Sequence, residues 1–102
     1  MNLRQLEYFL AVARARSLTR AAADLGVAQP TLTKSIRALE EELGVSLFRR
    51  QPRGVELTEF GNSLLRHAET VNVQMRDATR EIASLRGGTW PARSTTSARP
   101  SR

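Results

Sequence analysis

The chain has 102 residues, with 16 basic and 10 acidic side chains, one histidine, no cysteine and a net charge of +6. That length allows one small domain with something appended, and a core of this size is marginal unless a second chain extends it. The missing cysteine excludes disulfides and thiolate metal sites; no stretch reaches the roughly 20 apolar residues of a membrane span, and Tyr8–Ala13 is too short for a signal-peptide core, so a cytoplasmic setting is the default.

From Leu3 to Ala15, apolar residues recur at Leu3, Leu6, Phe9-Leu10 and Ala13 with a helical period, and Tyr8 and Val12 widen the buried side. Ser17 then caps a second helix over Leu18–Leu25, its side-chain oxygen accepting an otherwise orphan amide. Ala21, Ala22 and Leu25 face inward, and the run Ala21–Ala23 lets helices approach closely. Gly26 stops this helix because it reaches left-handed backbone angles without a Cβ penalty, and Val27 plugs the turn. Gln29-Pro30 opens a third helix, with proline where a missing N–H costs nothing. Two short helices joined by a Gly-containing turn make a helix-turn-helix.

The third helix ends at Leu43, ahead of Gly44. Leu32, Ile36, Leu39 and Leu43 share one stripe at about 100° per residue and are expected to face the core. Lys34, the only lysine of the chain, and Arg37 project on the opposite side, flanked by Thr31 and Ala38 on one edge and Thr33 on the other. Cations and hydrogen-bonding groups among small side chains suit close approach to base edges and phosphates. A merely solvated face is the competing reading, and Glu40-Glu41-Glu42 is read as such, because three consecutive helical carboxylates diverge and cannot share a metal.

Val45–Arg50 and Val55–Thr58 are short β-prone pieces around Gln51-Pro52-Arg53-Gly54, which predicts a two-stranded hairpin, a wing. Leu47, Phe48, Val55 and Leu57 supply its contacts with the core. Arg53 at the tip, with Arg49 and Arg50 near it, suits a narrow A·T-rich minor groove, where negative potential is concentrated. Thr58 caps a long helix over residues 59–86. In it Leu64, Ala68, Val71, Met75, Ala78, Ile82 and Leu85 form a heptad stripe, and Phe60 anchors its start to the wing. At 1.5 Å per residue such a helix is about 42 Å long, more than a body of about 58 residues covers, so a homodimer through residues 59–86 is expected. Residues 87–102, rich in Ser, Thr, Pro and Arg, are expected to form a disordered basic tail.

The charge surplus lies in two places. Residues 1–58 hold nine basic and six acidic side chains, residues 59–86 four of each, and residues 87–102 three arginines and no acid. His67 on the long helix has no nucleophile–base partner, so neither an enzyme nor a metal or cofactor site is expected. The fold class is therefore mainly α: a three-helix core with a two-stranded wing over residues 1–58, followed by a long dimerisation helix.

The series LRQLEYFLAVA, SLTRAAADLGVAQPTLTKSIRALEEELGVSLFRR and RGVELTEFG, up to about Arg86, resembles the N-terminal DNA-binding domain of LysR-type transcriptional regulators. The resemblance implies a winged helix-turn-helix that binds double-stranded DNA in the cytoplasm, on the nucleoid. It gives Gln29, Pro30, Thr31, Thr33, Lys34 and Arg37 reading or phosphate-clamping roles in the major groove. It places Arg53 in the minor groove and Arg4 and Ser17 on the backbone, and it makes the long helix a dimerisation helix. Family members often carry a second proline where this chain has Thr31. They continue for about 200 further residues into an effector-binding domain. Against that pattern the sequence reads as a truncated or frame-shifted regulator, or one with a non-native tail, with no small-molecule effector expected to act on it. The alternatives are a winged helix that binds protein, which calls for an apolar outer face on the third helix, and a dimer-only antagonist of a full-length regulator.

Overall fold

A computed structural model describes residues 1–87 as four helices and one two-stranded sheet. The chain divides into two compact units, Met1–Glu69 and Thr70–Arg102. The expected basic tail, apart from Gly87, lies outside the described residues.

Helix α1 (Leu3–Ala15) begins with a reciprocal capping box: Asn2 Oδ1 accepts the Gln5 amide at 2.8 Å and Gln5 Oε1 accepts the Asn2 amide at 3.0 Å. Helix α2 (Leu18–Leu25) is capped by Ser17 Oγ, which accepts the Arg20 amide at 3.1 Å. Helix α3 (Gln29–Leu43) starts with proline in its first turn and has no side-chain cap. The strands β1 (Phe48–Gln51) and β2 (Gly54–Leu57) pair antiparallel, Phe48 opposite Leu57 and Gln51 opposite Gly54. Helix α4 (Glu59–Leu85) is opened by Thr58, whose Oγ1 accepts the Gly61 amide and donates to the Ser46 carbonyl at 2.6 Å. The helices fall where the periodicity places them. The first strand starts at Phe48 rather than Val45: the Leu47 carbonyl still accepts the Thr58 amide in register with the hairpin, but the Leu47 amide goes to the Glu40 side chain, and the ladder stops there.

The core of the first unit collects Phe9, Leu10 and Val12 from α1, Ala21 and Ala22 from α2, and Leu32, Ile36 and Leu39 from α3. Leu47, Val55 and Ala68 complete it. Phe9 meets Phe48 in a tilted ring contact at 5.2 Å, which fastens the wing to α1. The wing is also seated on the corner between α1 and α2, where the Val55 amide donates to the Arg16 carbonyl at 3.1 Å. Gly54 makes that seat possible: its φ is +136°, and a Cβ there would stand 2.2 Å from the same carbonyl oxygen.

Four side chains sit differently from the sequence expectation. Leu43 is 38% exposed, since its stripe runs one turn beyond the core it serves, and Leu3 is exposed at the start of α1. Phe60 is 48% exposed and does not anchor α4; the inward position is Gly61, which lies against the Leu47 carbonyl and Leu57, and Phe60 is rotated about 100° away from it. Ala68, placed in the dimer stripe, is only 1% exposed within its own chain. With Gly61, Leu64 and Leu65 it forms an i, i+3, i+4, i+7 face that belongs to the domain core.

Candidate nucleic-acid interface

The outer side of α3 is a continuous stripe. Pro30, Thr33, Lys34, Arg37, Ala38 and Glu41 follow one another at helical spacing and, with Gln29, line a common depression of the surface. Lys34 and Arg37 are exposed there, and neither has an ion-pair partner among the described residues. Thr33 is half-buried at the edge, and Thr31 is exposed on the opposite flank, outside the depression. Proline and alanine keep the backbone accessible around the two cations. Glu41 adds a carboxylate at the far end of the stripe, a position that the sequence reading left in a generic acidic run.

The remaining expected site residues lie on other elements of the same unit. Arg53 is exposed in the turn between β1 and β2, and Arg4 is exposed on the first turn of α1. Ser17 is half-buried, its hydroxyl engaged in capping α2. Arg49 is tied by a 2.8 Å ion pair to Glu56 on the facing strand, which leaves Arg50 and Arg53, both exposed, as the wing arginines without an ion pair among the described residues.

Two further side chains shape the site. Glu40 is half-buried, and one of its oxygens, Oε2, accepts the backbone amides of Leu47 and Phe48 at 2.7 and 3.3 Å, which joins α3 to the start of the wing. It is therefore not part of a solvated acidic face as the sequence suggested. Thr19 donates its hydroxyl to Gln29 Oε1 at 3.0 Å across the helix-turn-helix corner. Nothing in the run of residues 19–29 marks that pair, since both residues are polar and exposed.

In the second unit, Val71 is half-buried, and Met75, Ala78, Ile82 and Leu85 are exposed along α4, as is Val73 on another face. His67 is exposed in the first unit. Among the described residues no three His, Cys, Asp or Glu side chains gather where a metal ion could be held, and no helix is long and apolar enough to cross a membrane.

Residues 3–62 match the family model described as bacterial regulatory helix-turn-helix protein, lysR family. The chain belongs to that family. Its lysR-family relatives include the HTH-type transcriptional regulator BudR of Klebsiella aerogenes, 52% identical over 83 residues, covering 81% of this chain and 57% of the relative. BudR of Raoultella terrigena is 60% identical over 63 residues, covering 62% of this chain and 22% of the relative. The chain thus spans well under two thirds of the length of these relatives. Among solved structures it is similar to that of the CbnR_DBD–DNA complex, with a TM-score of 0.73 and 42% identity over 83% of this chain and 99% of that one. The BenM_DBD/catB site 1 DNA complex gives a TM-score of 0.72 and 45% identity over 82% and 97%. The mainly helical winged architecture of this lysR-family chain is that of those DNA-binding domains.

Proposed function

We propose that this lysR-family chain reads double-stranded DNA sequence-specifically as a homodimer and acts on transcription. The observation that carries the reading is the outer face of α3, where exposed Lys34 and Arg37 stand without intrachain ion pairs among small side chains. A major groove about 12 Å wide admits such a helix and offers acceptors to its donors. Gln29, Pro30, Thr31, Thr33, Lys34 and Arg37 face the major groove, Arg53 enters the minor groove, and Arg4 and Ser17 meet backbone phosphates. The similarity to the CbnR and BenM domains solved as DNA complexes supports the same reading. An apolar outer face, which a protein-binding winged helix requires, is not what α3 presents.

In this proposal residues 1–58 are the DNA-binding domain, 59–86 the dimerisation helix and 87–102 a basic tail. The seam comprises Val71, Met75, Ala78, Ile82 and Leu85, with Leu64 at its edge; Ala68 leaves the seam because its surface is already used in its own core. The role is binding rather than catalysis, in the cytoplasm on the nucleoid, and it calls for no cofactor. Selection of bound sites from a random DNA pool tests it. The expected product is a pair of two-fold related half-sites, spaced by about one helical turn or more. A pool that stays random after repeated rounds overturns the proposal.

A further inference from the structure

Thr19 sits in the first turn of α2 and Gln29 is the first residue of α3, so the 3.0 Å bond between them spans the corner of the helix-turn-helix. A threonine hydroxyl has one proton to give, and a glutamine amide has one acceptor end and one donor end. Thr19 gives its proton to Gln29 Oε1, which fixes the oxygen of the amide toward α2. The two N–H groups on Gln29 Nε2 then have no intrachain acceptor among the described residues, and Gln29 lines the depression shared with Lys34 and Arg37. A glutamine on an exposed helix end otherwise samples several rotamers; the bond to Thr19 holds this one with its oxygen toward α2.

We propose that Thr19 is a positioning residue that makes Gln29 a committed hydrogen-bond donor at the start of the recognition helix, selecting an acceptor on DNA. The acceptor is a phosphate oxygen or a purine N7. The bidentate pairing of glutamine with adenine is disfavoured, because it needs the amide oxygen to lie along the base edge and accept from N6, whereas the bond to Thr19 turns that oxygen toward α2. This inference rests on the DNA-reading function above, and its test separates the two.

Affinities for a selected site are measured for the wild-type chain, Thr19→Val, Thr19→Ser, Gln29→Ala and the Thr19→Val/Gln29→Ala double variant, with melting temperatures alongside. Thr19→Val is expected to weaken binding about two- to tenfold, the span one hydrogen bond accounts for, at unchanged melting temperature, and Thr19→Ser to restore it. In the Gln29→Ala background Thr19→Val costs nothing; a penalty that persists there overturns the inference. Modified DNA names the acceptor. A methylphosphonate that erases the Gln29 effect assigns a phosphate, and a 7-deazapurine that erases it assigns N7. If removal of an adenine N6 amino group erases it instead, Gln29 is accepting and the donor assignment is overturned. Wild-type protein that binds no selected DNA defeats the proposed function; wild type that binds while Thr19→Val is indistinguishable from it defeats this inference alone.

Discussion

The Glu40 carboxylate takes the place that a strand partner would otherwise fill for the Leu47 and Phe48 amides, so one side chain sets where α3 ends relative to where the wing begins. Hydrogen bonds to a charged group are worth about 1.5–3 kcal/mol when well shielded, and water reaches this carboxylate in part. Glu40→Ala is therefore expected to lower stability by about 1–2 kcal/mol in urea unfolding, and Glu40→Gln by less, because an amide oxygen still accepts. An alanine variant as stable as the wild type would mean that water replaces the carboxylate without cost. Gly61 makes an equally local demand: a Cβ there would lie 2.2 Å from the Leu47 carbonyl oxygen, a backbone atom held in place by Thr58. Gly61→Ala is expected to cost about 1–3 kcal/mol, the range for overpacking, read as a lowered melting temperature. Neither role is legible in the sequence, because the partners are backbone groups reached only after the chain has turned. The Asn2–Gln5 capping box is the opposite case, an Asn-x-x-Gln pattern open to reading from the residues alone.

At the scale of elements, periodicity and turn residues located all four helices and both strands, because each helix presents one apolar stripe and α2, α3 and α4 run into glycines suited to ending them; α1 instead ends at Arg16, held left-handed at φ +56°. The wing is the least determined of these by pattern. Its strands are four residues each, and their position follows from tertiary fastenings at Phe9 and Arg16 more than from alternation. That seating bears on the proposed function, in which the wing tip and α3 meet one duplex together. Lys34 lies at the centre of the α3 stripe and Arg53 in the wing turn, so the two are expected to fail differently. Lys34→Ala lowers affinity for the selected site more than for random DNA, by about 1–3 kcal/mol if the ammonium reads a base edge. Arg53→Ala lowers preference for A·T pairs at the position beside the half-site. Competition binding with selected, flank-substituted and random duplexes checks both. An equal loss on all three for Lys34→Ala makes it a phosphate contact rather than a reader.

For the whole molecule, the heptad stripe of α4 shows what an apolar repeat can and cannot specify. Its period identifies which residues want burial, but not what buries them. Leu64 and Ala68 turn out to serve the chain's own core, and Met75, Ile82 and Leu85 stay exposed. Fully burying a side chain of that size is worth about 1.5–3 kcal/mol, which is the incentive for a second copy. Ile82 is the informative position: at 62% exposure it contributes little to the single chain, so Ile82→Asp should leave the fold and its helix content intact while placing a charge in the seam. Sedimentation is expected to show a dimer for the wild type and a monomer for the variant. The same substitution reaches DNA binding through salt. Log affinity falls with log salt by about 0.9 per phosphate neutralised, and a dimer applies each of Arg4, Lys34, Arg37 and Arg53 twice. The Ile82→Asp monomer is therefore expected to show about half the wild-type slope on the same duplex. A variant that remains a dimer removes Ile82 from the seam. A monomer that keeps the full slope means a single copy already makes every phosphate contact, and the two-fold arrangement of the site would then need another cause.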